Sequence, residues 1–532
     1  MKAGAALVAL LAVSAPLASQ EPASRWHWEA PRTVGTFADE RARQAQLTGD
    51  APLTSLMIRP LLRAATLDSA SGDTTRRVQI ALLNPTLRST YNSRAPYGWN
   101  DGAMWSGRGL SLAADVGVEA RWRWVTARVA PTIAWSQNQD FALGTLVGPP
   151  ANASPYADVW NPAKIDRPQR FGDGAFTTVD PGQTMVRVDW RALAVGAGTE
   201  NMWWGPGIDN SLLMSNTAAG IPHAFLGTGR PVDVKIGHVE ATYVIGRMYD
   251  SDYWRTGDQP NRNRRWLGGL VATFTPRGAP GLYLGGGRVF YEYIPPGGLG
   301  LRDVLDVLQP FTKRHFSTPD NPTGEDSADQ LLSLFARWVF PNEGFEVYGE
   351  LGRNDHSWDF EDLVLEPDHG TASLLGFQKA FRRGERTLLV RGEITDLSLA
   401  RTIEIRGGQS WYIHHIVRQG YTQRGQLMGA GIGPGSDSQR LQADWQAPAW
   451  SLGGWVERVR YDNDAFYQRY APLKDGRRLH DVNLLLGIRA RRENRWAVYS
   501  MSLGRLAQYN RYTTMSNDFS GMRVELRAEL RP

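Results

Sequence analysis

The sequence contains no cysteine. That excludes disulfides, thiolate metal sites and a cysteine-borne lipid anchor, so stability has to come from packing and backbone hydrogen bonds. Beyond the first twenty residues there is no apolar run of the roughly 18 residues that a spanning helix requires. Any residence in a membrane must be as a closed barrel or at the surface. Charge of one sign is also lacking: 59 Lys and Arg against 54 Asp and Glu leave a formal +5 over 532 residues. Such a balance gives no ground for a nucleic-acid partner. There is no His-Glu-x-x-His pattern and no EF-hand loop, so neither a metalloprotease nor a calcium module is expected, and no cofactor is implied.

What the chain has is glycine (56), tryptophan (20) and tyrosine (18), with 21% charged residues and a mean hydropathy of −0.38. This is the composition of a turn-rich, aromatic-rich β protein rather than a helical membrane protein or a disordered chain. Residues 1–20 read as a secretory signal, with Lys2 ahead of an apolar stretch from Ala3 to Val13 and small residues from Ala15 to Ser19. Thr36 is a candidate N-cap for a helix over 36–47, and Leu53, Leu56, Met57, Pro60, Leu61 and Ala64 recur at helical spacing. Residues 21–75 are therefore expected to form a small helical periplasmic segment.

From about residue 76 the hydrophobic period becomes two and stays two almost to the end. Leu110, Leu112, Ala114, Val116, Val118, Ala120, Trp122 and Trp124 alternate with polar residues, as do Val186, Val188, Trp190, Ala192 and Ala194. The last segment is the cleanest: Met522, Val524, Leu526, Ala528 and Leu530 face one way, and Arg523, Glu525, Arg527, Glu529 and Arg531 the other. Many such strands, charged on the hidden alternation and aromatic near their ends, fit a transmembrane antiparallel β-barrel. Roughly 25 residues per strand and connection gives on the order of eighteen strands over 76–532, and a count of about sixteen or twenty fits the same spacing. The chain ends on Leu530-Arg531-Pro532 rather than on the aromatic residue that closes many such barrels. Long connections at 137–182 and 295–330 are expected to fold over one mouth, the second containing the helix-like 301–308.

Candidate chemistry is sparse. His414 and His415 are adjacent, so in a strand they would point to opposite faces and could not share a metal. The run Gly429-Ala-Gly-Ile-Gly-Pro-Gly435 resembles a dinucleotide loop, but Pro434 stops any helix from opening there. Asp462 with Asp464 and Glu361 with Asp362 are pairs of the kind glycoside hydrolysis uses, in a chain where acids are too numerous for pairing to be informative. Arg121, Arg123, Arg187, Arg191, Arg523, Arg527 and Arg531 fall on polar alternations, and lumen ion pairs with Glu119, Asp189, Glu525 and Glu529 account for them more simply than a path for an anionic polymer.

The least generic stretch is 200–228, where Trp203-Trp204-Gly205-Pro206-Gly207 forces a sharp reversal because proline fixes φ and the flanking glycines tolerate angles closed to other residues. On residue chemistry alone it reads as a tight turn with two packed aromatics. With Ser211-Leu-Leu-Met-Ser-Asn216 following, it resembles the capsule-assembly Wzi family. Tyr97-Gly-Trp-Asn-Asp-Gly-Ala-Met-Trp105-Ser-Gly-Arg108-Gly-Leu110 is similar to that family's early hairpin, and His414 to Gly433-Pro434, with Tyr421 and Arg424, to its later loop.

The resemblance implies an outer-membrane barrel of about eighteen strands with a small helical N-terminal element, in a Gram-negative bacterium. It also implies a lectin-like, non-enzymatic role: binding and helping to attach or organise capsular or extracellular polysaccharide, in contact with outer-membrane lipid and in the neighbourhood of capsule export machinery. Trp203, Trp204, Gly205, Pro206, Gly207, Ser211, Asn216, Trp105, Arg108, Tyr421 and Arg424 are the motif residues offered as polysaccharide-binding candidates. The rival readings are a diffusion or sugar-uptake porin and an outer-membrane glycoside hydrolase. Counting 184–197 as one strand places the 200–228 stretch at the periplasmic end of the barrel or folded into the lumen from there.

Overall fold

The computed structural model describes residues 26–60, 78–255, 264–295, 297–305, 307, 328–354, 360–400, 408–469 and 479–532. Residues 1–20, which the sequence reads as a secretory signal, the chain just after Pro60 and most of 295–330 lie outside these residues. The fold is a closed antiparallel barrel of 18 strands among the described residues, as the alternation implied. The wall begins with β1 (Gln79–Asn92), β2 (Gly109–Trp122), β3 (Val125–Val129 with Thr132–Ser136), β4 (Phe176–Asp180 with Met185–Trp190), β5 (Leu193–Gly198) and β6 (His223–Thr228). It continues with β7 (Gly237–Met248), β8 (Arg265–Pro276), β9 (Leu282–Tyr293), β10 (Asp329–Phe340), β11 (Phe345–Asn354) and β12 (Thr371–Arg383). β13 (Arg386–Asp396), β14 (Asp437–Ala447), β15 (Trp450–Tyr461), β16 (Asp481–Glu493), β17 (Ala497–Tyr509) and β18 (Phe519–Leu530) complete it. Closure is between β18 and β1, from Glu529 opposite Thr86 to Arg523 opposite Asn92. Beyond the irregularity at Asn84-Pro85, the strand Trp26–Glu29 runs parallel to Ile80–Leu83 and extends the seam. Closure leaves no row of unpaired backbone groups for lipid to meet.

The two faces separate as the period predicts. Val116, Ile133, Val179, Leu334, Leu351, Leu486 and Ile488 are exposed on the outside, whereas Glu119, Arg337, Glu346, Glu350, Glu393, Asp444 and Glu457 are buried on the inside. Connections at one end are short, such as Arg123-Trp124 and Arg191-Ala192; those at the other are long, including 93–108, 137–175, 199–222 and 397–436.

Several local expectations change. Residues 184–197 are two strands, β4 and β5, because Arg191 turns the chain with a positive φ of 55°. The extra strand reverses the parity of the count, so 199–222 leaves the wall at the long-loop end and not at the short-turn end. Arg123, at φ 52°, is likewise a turn residue, and neither it nor Arg191 faces the lumen. The helix α1 (Phe37–Leu47) forms with Thr36 as its N-cap, accepting from Asp39 N at 3.3 Å. Residues 51–57 are not helical, because their polar groups are spent on the wall: Arg337 donates to Thr54 O at 3.1 Å while Met57 sinks fully into the lumen core. Leu301–Leu305 is helical as expected.

Candidate functional site

The three motif stretches meet inside the barrel. From the long-loop end, 199–222 descends into the lumen until Trp203-Trp204 pairs antiparallel with Ile58-Arg59 of the N-terminal segment, and Gly205 N donates to Met57 O at 2.8 Å. The later loop packs on it: Ser215 N donates to Met428 O at 2.8 Å, Ser215 Oγ to Gly429 O at 2.6 Å, and Tyr412 OH to Leu212 O at 2.8 Å. The early hairpin closes a third side, with Asn216 Nδ2 donating to Asn100 O at 3.0 Å and Gly102 N to Asn216 O at 2.7 Å. Trp204, Leu212, Leu213, Met214, Trp411, Tyr412, Tyr421 and Ile432 form one apolar core with the inner wall. In a strand-walled lumen lined by carboxylates and guanidiniums, this core is a plug.

The Gly-Pro-Gly turn is what fastens the plug. Gly205 has φ +123°, and a Cβ there would sit 2.8 Å from Glu350 Oε2; at Gly207 it would sit 2.0 Å from Asn210 O. Only glycine fits either place. Past the turn, the successive N–H groups of Ile208, Asp209 and Asn210 all donate to the Glu393 carboxylate of β13, the closest contacts being 2.7, 3.1 and 2.8 Å. A carboxylate held by three backbone donors is a strong charge-assisted lock. From below, Arg43 of α1 donates to Pro206 O at 2.7 Å and to Glu346 at 2.7 Å, and Arg337 shares Glu346 at 2.7 Å. Helix, plug and wall are thus clamped by one buried ionic group.

A cavity of about 470 Å³ remains beside the plug, lined among others by Asp39, Arg59, Arg88, Trp203, Asp209, Asn216, Arg391, Arg440, Arg489 and Arg527. Its charges are internally paired: Arg59 with Asp39 at 2.9 Å, Arg88 with Asp115 at 3.3 Å, Arg489 with Asp444 at 2.5 Å and Arg391 with Asp209 at 3.5 Å. Burial by itself would raise the Asp209 carboxyl, but Arg440 and Arg391 hold it below the usual carboxylate range. The lumen alternation at Arg187, Arg523 and Arg531 behaves the same way, pairing with Asp189, Glu525 and Glu493. Of these partners, Asp209 lies in an irregular segment whose position the alternation does not reveal. Arg391 lies on the inward alternation of β13, with Leu389 and Glu393.

The sequence-derived candidates divide into three groups. Trp204, Gly205, Pro206, Gly207, Ser211 and Tyr421 are buried in the plug, with Tyr421 stacked on Tyr412 at 5.8 Å. Trp203 and Asn216 border the cavity, and Arg59 lies over the Trp203 ring at 4.8 Å. Trp105, Arg108 and Arg424 stand instead toward the long-loop mouth. Trp105 joins a half-buried aromatic cluster with Phe171 at 5.0 Å and Phe176 at 6.2 Å, and Phe171 meets Tyr253 at 5.8 Å. Arg108 donates to Asp140 O, and Arg424 pairs with Asp180 at 2.9 Å. Phe171, Phe176 and Tyr253 carry no motif and were not singled out in the sequence.

Other candidates are absorbed by structure. His414 and His415 sit in a turn, not a strand, with ring centroids 4.6 Å apart. Gly429–Gly435 is a turn of the plug. Asp462 fastens the 137–175 loop through Arg167 at 3.4 Å, and Asp464 accepts from Leu399 N at 2.8 Å. Among the described residues no three metal-ligating side chains converge.

An eighteen-strand barrel with a turn-locked internal plug defines the class, that of outer-membrane-type barrels whose lumen is filled by their own loops. Within it, this chain belongs to the capsule assembly protein Wzi family, whose profile matches residues 97–447, well over half of the sequence. Among solved structures it is similar to Wzi of Escherichia coli, described as an outer membrane protein involved in group 1 capsule assembly and a carbohydrate-binding β-barrel. The identity is 13% and the TM-score 0.57, over 92% of this chain and 97% of that one. OccAB2 of Acinetobacter baumannii aligns at 10% identity and a TM-score of 0.41, over 87% of this chain and 100% of that one. No curated protein sequence matches the chain.

Proposed function

We propose that the protein is a non-catalytic outer-membrane lectin of a Gram-negative cell that holds capsular or extracellular polysaccharide at the surface. The observation that carries this reading is the plug: the Trp-Trp-Gly-Pro-Gly motif with Ser211 and Tyr421 is spent on filling and locking the lumen, which argues for a binding surface at the mouth and against a conduit. With short turns taken as periplasmic, as is general for such barrels, the long loops face outward. They present half-buried Trp105, Phe171, Phe176 and Tyr253, whose flat apolar rings suit stacking on sugar rings. Arg108 and Arg424 nearby supply donors for hydroxyls or uronate carboxylates. α1 would then sit at the periplasmic side, where contact with export machinery is sterically open.

The test is retention of the folded, purified barrel on immobilised polysaccharide from its own source. Retention, reduced at least several-fold by Trp105→Ala or Arg424→Gln with the barrel intact, is expected. No retention of any polysaccharide from that source by a folded barrel would sink the proposal.

A further inference from the structure

The short-turn rim carries a set of arginines with no carboxylate partner among the described residues. Arg383 and Arg386 are direct cross-strand neighbours at the β12–β13 turn. Both are exposed, and both lie on the same alternation as the outward Phe381, so their side chains share the lipid-side face. Like charges placed opposite each other are unfavourable unless an anion sits between them.

Arg492 of β16 has Trp450 as its neighbour on one side and Tyr499 on the other. Both rings are exposed on the outer face, so Arg492 projects from an aromatic band of the kind that marks the membrane interface. Arg495 lies over the Trp496 ring at 4.5 Å, Arg191 over Trp190 at 4.8 Å and Arg123 over Trp122 at 5.7 Å, and all three rings are exposed. Among the described residues none of the six arginines has an ion-pair partner, although Arg491, one residue from Arg492, is paired with Glu493 at 3.2 Å. A guanidinium on the outer face at this depth cannot remain in hydrocarbon and reaches for the headgroup layer.

We propose that this rim is a collar of binding sites for the headgroups of anionic glycerophospholipids in the leaflet at the short-turn end. Each arginine offers a forked donor to a phosphodiester while its neighbouring ring rests at the acyl-chain boundary. The collar rests on the barrel spanning a bilayer and is independent of whether the mouth binds polysaccharide. An arginine near an anionic surface contributes about fivefold in lipid partitioning.

The test is native mass spectrometry of the full-length barrel extracted from vesicles of equal phosphatidylglycerol and phosphatidylcholine, scored by the lipid each barrel retains. Wild type is expected to keep phosphatidylglycerol over phosphatidylcholine by at least tenfold, and R383Q/R386Q/R492Q/R495Q to lose that preference. The four corresponding lysine substitutions are expected to keep most of it. Heat-modifiable gel migration verifies folding; if the quadruple variant does not fold, R383Q/R386Q alone carries the same expectation at a smaller size. Equal retention of the two lipids by wild type, or unchanged preference in the folded glutamine variant, overturns the proposal. So does displacement of the lipid by millimolar inorganic phosphate, which would assign the arginines to free anions.

Discussion

Removing Trp204 tests whether the Trp-Trp-Gly-Pro-Gly motif is a fastener of the plug or part of the ligand surface. Its side chain is 1% exposed. It lies on the inner wall where Gly269 and Gly287 leave room, since a Cβ at Gly269 would meet the indole at 2.8 Å. An indole buries on the order of 200 Å², which at about 25 cal/mol per Å² corresponds to roughly 5 kcal/mol. Large-to-small core substitutions of tryptophan cost about 3–5 kcal/mol. Because the loss falls on the plug and not on the wall ladder, it appears as local opening. About 4 kcal/mol corresponds to roughly a thousandfold faster amide exchange. Trp204→Ala is therefore expected to deprotect 199–222 by about that factor while strands β7 to β12 stay protected, and to raise open-channel events in planar bilayers above a nearly silent wild type. Polysaccharide retention per folded barrel should change far less. Unchanged exchange in 199–222, or retention lost while the plug stays protected, would show that the residue serves the ligand and not the plug.

Glu393→Gln keeps the shape of the lock but removes its charge. The amides of 208–210 are expected to lose on the order of 2 kcal/mol of protection, read by the same exchange measurement, because hydrogen bonds to charged acceptors are worth about 1.5–3 kcal/mol. Unaltered protection would mean that the carboxylate is not the anchor. Asp166, in the 137–175 loop, accepts from Ser251 N and Oγ at 2.6 Å each, yet burial pushes its carboxyl up to about 6. The folded loop then binds the proton more tightly than the free chain. Loop docking is accordingly strongest below about pH 4, weakens as pH rises to about 6 and is flat above that. Asp166→Asn should abolish this slope, measured as protease cleavage of the loop across that range; an unchanged slope assigns the pH dependence elsewhere.

Much of the architecture was legible from one-dimensional pattern, since a period of two repeated over 457 residues states which side of each strand meets lipid. The alternation over 522–531 is realised in β18, where Met522 and Leu526 are exposed while Arg523 and Glu529 are buried. Thr36 capped its helix because a cap is a local hydrogen bond. Where the pattern misled, the decisive contact was non-local. The turn at Arg191 has no glycine or proline to announce it, and reading through it displaced the motif to the wrong end of the barrel. Residues 53–57 have helical spacing, but Arg337, nearly three hundred positions away, claims their carbonyls.

By itself, then, the sequence determined the class: no cysteine, no apolar helix, and an alternating pattern whose only lipid-compatible arrangement is a closed barrel, together with the motifs that mark its family. Tertiary structure alone decided what those motifs do. The carboxylate at 393 faces the lumen by parity, but its grip on the N–H groups of 208–210 exists only once 199–222 has folded back into the barrel. Likewise, no periodicity brings Trp105, Phe171 and Tyr253 together, because a pattern of side-chain direction carries no information about which loops meet across a mouth.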